Sequence, residues 1–326
     1  MGSAPSTSTH RGLAIFASVT VPILPGELVS TEAPDGAVFV ADLTSGTTGS
    51  GPQVVWVVDG NGPAAVAEHL PIGAHALAAD ATNLYVANYL NVTAFDRRTG
   101  IQSGQWALPP LSTANTSNAN LEAMAASGGA VLVSLAQGNV VSVYRIDPAT
   151  TAAPLMIAQG SSVAFGPDGS VVFVRADHHL VVQSASGVLN VGPLLADSPN
   201  GSGGGVQYAD TVAGGTIWVT EPDKQGLDAR YASFDLTTLT PLGSFSGTSE
   251  LQIAGTTAGP LALNPPAPCP QRSSEVVSTM CLFRIAPSGA LSHRVMIGGV
   301  LQLLGPHPVV LTGNPGNSGV VVNRLR

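Results

Sequence analysis

The sequence predicts an all-β chain folded as a seven-bladed β-propeller of four-stranded antiparallel blades. Three observations predict it. A unit of roughly 40–50 residues recurs seven times, each with four short strands, which is how a ring of blades is written in sequence. Turn residues are abundant, with 38 Gly and 25 Pro in 326 residues, as many short strands require. The chain is 44% hydrophobic and 10% charged, too apolar for disorder and suited to strands buried on both faces.

In chain order, Leu13 to Leu24 is apolar but shorter than a membrane span. It alternates, with Ile15, Ala17, Val19 and Val21 against Phe16, Ser18 and Thr20, which is strand periodicity. The units then open at Glu27, His75, Glu122, Ser162, Gln207, Gln252 and Gln302. The last unit holds only three strands, at 301–304, 309–312 and 320–325. The strand at 13–22 is therefore expected to complete the blade at 301–326 and close the ring. Residues 1–12 read as a tail, and 13–326 as one domain.

Second strands are the clearest: Val38-Phe39-Val40, Leu84-Tyr85-Val86, Val131-Leu132-Val133, Val171 to Val174, and Ile217-Trp218-Val219. Such β-branched and aromatic runs fit a strand buried between neighbouring blades. The turns from third to fourth strand carry Asp59, Asp96, Asp147 and Asp235, which cap the backbone N–H groups that follow and are read as structural. Turns between first and second strands are equally short. The long connections, 43–52, 109–120, 196–205, 222–228 and 265–278, all join second to third strands or one blade to the next. In an up-and-down blade both kinds emerge at one end of the ring, and function concentrates on loops carried by a rigid scaffold. The site is expected there, over the central channel.

The net charge is −8 and Lys224 is the one lysine, so no basic stripe suits nucleic acid. No segment reads as a membrane span, and a monomer is expected. Cys269 and Cys281 fall in a Pro/Ser-rich stretch between two strands. A disulfide there would contribute up to roughly 3 kcal/mol in an oxidising compartment, which with the lysine-poor composition points to a secreted or extracytoplasmic bacterial protein. The sequons at Asn91, Asn115 and Asn200 matter only in a glycosylating host.

The run Leu84-Tyr85-Val86-Ala87-Asn88, then Val92-Thr93-Ala94-Phe95-Asp96 and Thr99-Gly100, resembles the YVTN/NHL/gluconolactonase-like propellers. The resemblance covers nearly the whole chain as architecture, and its motifs build blades rather than chemistry. Ile217-Trp218-Val219-Thr220-Glu221 is similar to a strand motif of streptogramin lyases, a seven-bladed family that uses a divalent metal, but no matching His/Glu set follows. Neither Asp-boxes nor Trp-Asp or kelch repeats occur.

The opening residues of the units are expected to ring the channel mouth. Glu27, His75 and Glu122 fall on consecutive blades; two carboxylates and an imidazole suit a divalent ion, Ca, Mg or Mn by oxygen and Zn by imidazole. Without a metal they could pair a general acid with a base, or simply form a solvated polar ring. Gln207, Gln252 and Gln302 would extend a ligand site, as would Asp42, Asn88 and Tyr89 at the ends of second strands. Glu221 and Arg230 bound a charged segment that fits either a polar ligand or a solvated loop, Arg230 being able to fork a carboxylate. His178 and His179 are neighbours in a hairpin and poor joint ligands of one ion. No nucleophile elbow is present, and the glycine run at 201–205 leads into a strand, so it is no phosphate cradle. Two functions stay open: a module binding a small polar molecule, glycan or protein, and a metal-dependent lyase or lactone hydrolase. A purely scaffolding role is the third.

Overall fold

The computed structural model describes residues 15–22, 28–42, 53–59, 65–70, 74–88, 91–109, 119–127, 129–137, 140–160, 162–166, 168–175, 177–195, 208–222, 228–248, 252–256, 259–263, 279–298, 300–304, 307, 309–313 and 319–325. Strand β1 is Ile15–Val21. Blade 1 follows as β2 (Leu28–Glu32), β3 (Val38–Asp42), β4 (Gln53–Val58) and β5 (Ala65–Leu70), and blade 2 as β6 (Ala76–Ala79), β7 (Asn83–Asn88), β8 (Asn91–Asp96) and β9 (Gln102–Ala107). Blade 3 is β10 (Ala119–Ser127), β11 (Ala130–Gln137), β12 (Val140–Ile146) and β13 (Leu155–Gly160). Blade 4 is β14 (Ser162–Phe165), β15 (Val171–Val174), β16 (His179–Gln183) and β17 (Leu189–Leu194). Blade 5 is β18 (Tyr208–Ala213), β19 (Thr216–Pro222), β20 (Asp228–Asp235) and β21 (Pro241–Thr248). Blade 6 is β22 (Gln252–Ala254), β23 (Leu261–Leu263), β24 (Thr279–Ile285) and β25 (Leu291–Gly298). Blade 7 holds β26 (Val300–Leu304), β27 (Val309–Gly313) and β28 (Val320–Leu325), and β1 joins it as its outer strand. Every blade is a four-stranded antiparallel sheet, and the ring closes as the alternation at 13–22 predicts, with Val19 opposite Val322 and Val21 opposite Val320.

The core is a set of wedges between blades. Alternate residues of each second strand point to opposite sheet faces, so each strand feeds two wedges. Phe39 and Ala41 pack toward Leu84 and Val86 of blade 2, while Val38 and Val40 pack toward Leu311 and Val322 of blade 7. Tyr85 and Ala87 meet Val131 and Val133; Leu132 meets Val171 and Phe173; Val172 and Val174 meet Ile217 and Val219. Trp218 packs with Ala262, and Leu261 and Leu263 with Val310. Full burial of one such side chain is worth about 1.5–3 kcal/mol, so these short strands are held mainly by their neighbours. No helix among the described residues is long and apolar enough to cross a membrane.

One placement differs from expectation. Cys281 lies inside β24 and is fully buried, rather than in the irregular loop, because Met280 to Ile285 continue the ladder with β25. Cys269 lies outside the described residues, and no free cysteine occurs among the described ones. All three tryptophans lie in strands: Trp56 in β4, Trp106 in β9 and Trp218 in β19.

Candidate functional site

The two ends of the ring are built differently. At the short-loop end, aspartates cap the outer turns: Asp96 Oδ1 accepts the N–H groups of Arg98 and Thr99 at 3.0 and 2.8 Å, Asp235 Oδ1 those of Thr237 and Thr238, and Asp147 Oδ1 that of Ala149. Hydrogen bonding by Thr99 holds the Asp96 carboxyl below its usual value, and the Thr238 N–H does the same for Asp235.

Side chains then stitch one blade to the next at this end. Trp106 Nε1 donates to the Thr150 carbonyl at 3.1 Å, Arg145 to the Ala185 carbonyl at 2.7 Å, and Asn190 to the Thr237 carbonyl at 2.9 Å. Ser233 donates to the Pro287 carbonyl. Arg97 grips both Asp35 carboxylate oxygens at 3.0 and 2.8 Å and donates to the Asp80 carbonyl at 2.7 Å, its guanidinium 5.2 Å above the Phe39 ring. Burial alone would raise the Asp35 carboxyl, but Arg97 and the Ala37 N–H pull it below its usual value.

The seam between blades 7 and 1 carries the most. Arg324, a buried residue of β28, donates to the carbonyls of Gly36, Val58 and Asp59 at 2.8, 3.3 and 3.1 Å. Glu32, whose side chain has no exposed surface, bonds the His307 ring at 2.7 Å and its N–H at 3.0 Å. Burial pushes the Glu32 carboxyl up, against the opposing pull of His307 and Arg324. Sequence reading missed Glu32, His307, Arg324 and Arg97, because partners up to 288 residues apart share no local pattern.

At the other end, the connections after β3, β9, β17 and β23 are the long ones, ten to fifteen residues each, and they all leave the same end of the ring; the one after β19, 223–227, is shorter than expected and no longer than turns at the short-loop end. Much of this end lies outside the described residues, including Glu27, Tyr89 and Gln207. His75 is half-buried just before β6, its N–H bonded to the Ala87 carbonyl at 2.8 Å. Asn88 ends β7 half-buried, and Asp42 ends β3. Glu122 sits where the β10–β11 register shifts between Leu121 and Ala123, so it is the bulged residue of an innermost strand. Asp210 occupies the same kind of shift in β18.

The described opening residues hold different places in their strands. Ser162 and Gln252 open β14 and β22, whereas Glu122 is fourth in β10 and Gln302 third in β26. Among the described residues no group of three His, Cys, Asp or Glu has metal-holding geometry. In the blade 4 hairpin, His178 adopts positive φ, Arg175 pairs with Asp177 at 2.6 Å, and His179 Nδ1 lies 3.3 Å from Asp177. Glu221 and Arg230 are cross-strand neighbours in β19 and β20. Arg230 lines a cleft of about 390 Å³ between blades 4 and 5, on the outer rim. Trp218 and Trp106 are buried and Trp56 is half-buried, so no tryptophan stands out as a sugar-stacking platform.

No protein-family model matches the chain, and no curated protein matches it. Solved structures do match, at the level of fold. The WD40 domain of Toxoplasma gondii coronin is similar over 96% of this chain and 85% of its own, with a TM-score of 0.56 and 11% identity. Oligogalacturonate lyase from Vibrio parahaemolyticus is similar over 96% and 98%, with a TM-score of 0.54 and 10% identity. PorZ, a surface component of the type-IX secretion system of Porphyromonas gingivalis, is similar over 95% of this chain and 39% of its own, with a TM-score of 0.53 and 14% identity. The chain is thus a seven-bladed β-propeller whose structural neighbours include both a WD40 domain and a lyase.

Proposed function

We propose that this protein is an exported binding module that holds a small polar molecule, a glycan or a protein partner at the long-loop end, over the central channel. The observation that carries the reading is the asymmetry of the connections: one end is trimmed and stitched, the other elaborated. Asp42, Asn88 and Gln252 stand at strand ends on that side of the ring. A Cys269–Cys281 disulfide would tie the long connection 264–278 to the blade 6 core; it is supported by the buried position of Cys281 and the absence of a free cysteine among the described residues. Intact-mass measurement with and without reductant tests it.

The binding reading is tested by screening a glycan array and a thermal-shift panel of small polar compounds. The wild type runs beside variants in which 43–52, 110–118 or 264–278 is shortened. Hits that vanish on shortening support the long-loop site. An absence of hits, or hits that survive all three deletions, overturns it.

A second reading, a metal-assisted lyase or lactone hydrolase centred on Glu27, His75 and Glu122, is favoured by the bulge at Glu122, because bulges re-aim side chains beside active sites. Here a carboxylate would serve as general base. A chelator-stripped sample melted with Ca, Mg, Mn or Zn, wild type beside Glu122→Gln, tests it. Stabilisation of the wild type alone supports a metal, and no shift with any ion removes this reading.

A further inference from the structure

Among the described residues the buried charged ones are Glu32 and Arg324, and both sit at the junction between blades 7 and 1. They reach across it in opposite directions. Glu32, at the end of β2 in blade 1, accepts the His307 N–H at 3.0 Å and lies 2.7 Å from a ring nitrogen of His307 in blade 7. Arg324, in β28 of blade 7, donates to the blade 1 carbonyls of Gly36, Val58 and Asp59. Other junctions use side chains such as Arg145 and Asn190, whose bonds are solvent-exposed.

A buried ion and its partners return little net stability over apolar groups of the same volume, so stability does not explain why charge is buried at this junction. Selection between surfaces does explain it. The other junctions join blades that follow one another in the chain, whereas here residues 288 apart must meet. The apolar wedge at this junction sets Val38 and Val40 against Leu311 and Val322. It is written in the same residue types as the wedge of Val172 and Val174 with Ile217 and Val219. Apolar packing therefore distinguishes blade 1 poorly from any other blade face, in the same chain or in a second copy, and misassembly is a characteristic failure of repeat proteins. Closure on a wrong face encloses Glu32 or Arg324 with nothing to bond, a cost that falls on wrong closures alone.

We propose that the reciprocal contacts of Glu32 and Arg324 select blade 1 as the surface on which blade 7 closes the ring. The test refolds the full chain from urea at low and high protein concentration and measures the recovered monomer by sedimentation. Wild type is compared with Glu32→Leu/Arg324→Leu and with a wedge variant, Leu132→Ala or Val172→Ala, whichever has the urea midpoint nearer that of the double variant. Wild type and the wedge variant are expected to return as monomer. The double variant is expected to return at least about threefold more oligomer than the wedge variant, rising with concentration. A double variant as monomeric as the wild type overturns the proposal. So does a wedge variant that forms as much oligomer, because lost stability alone would then account for the effect. If the double variant does not fold, Glu32→Gln, which keeps the shape of the side chain and removes its charge, is judged against the wedge variant by the same two outcomes.

Discussion

At the short-loop end, six junctions between blades are bridged by a side chain reaching to the neighbouring blade: Arg97, Trp106, Arg145, Asn190, Ser233 and Arg324 are the donors. Most donate to a backbone carbonyl in the outer turn of the next blade, so each stitch holds a turn as well as a junction. At the long-loop end the strands are joined by connections that range from one residue, 161 or 299, to fifteen, 264–278. The contrast teaches how one ring serves two demands. Wedge packing and the stitches fix the geometry from one side, and the connections on the other side are released from that task and free to vary in length and chemistry.

Breaking the stitches should cost stability in proportion to their burial and number of partners. Arg324→Ala should have the largest effect, about 3 kcal/mol in urea unfolding, because three carbonyls lose a charged donor in a buried site. Arg97→Ala should cost about 1–2 kcal/mol, discounted because its partner Asp35 is solvent-exposed. Asp168→Ala should cost about 1 kcal/mol, since Asp168 Oδ1 accepts the Ser170 N–H and hydroxyl.

Glu32 sharpens the comparison through pH. Its folded carboxyl is raised above the ordinary value of 4.5 by burial, so the folded state holds its proton more tightly than the unfolded state. The stability this contributes is fully present below pH 4.5 and is lost as pH rises through the raised value. Glu32→Gln should remove that slope while leaving the slopes from other groups in place, as unfolding measured across pH 4 to 8 will show. A slope unchanged by Glu32→Gln would place the titration elsewhere.

Most of the architecture was legible in the sequence because it is written locally. The alternation Ile15, Ala17, Val19, Val21 identified the closing strand, and the runs at Val38, Leu84 and Ile217 identified second strands that alternate between two wedges. The aspartates at 96, 147 and 235 declared their turns, since an aspartate caps residues two or three positions on. Cys281 was misread because Pro and Ser upstream hid the start of β24. Sequence spacing carries no axial coordinate, and a bulge such as the one at Glu122 leaves no mark in it. The seam was invisible for a simpler reason. Glu32 meets His307, and Arg324 meets Gly36, only once the ring has closed.

The division of labour between the two ends is tested most directly by urea unfolding of two variants side by side: Arg324→Ala, and a chain in which 43–52 is replaced by an Asn-Gly turn. The expected result is a loss of about 3 kcal/mol for the first and a change within about 0.5 kcal/mol for the second. A shortened connection that destabilises the chain as much as the lost arginine would contradict it, since the long-loop end would then be holding the ring together.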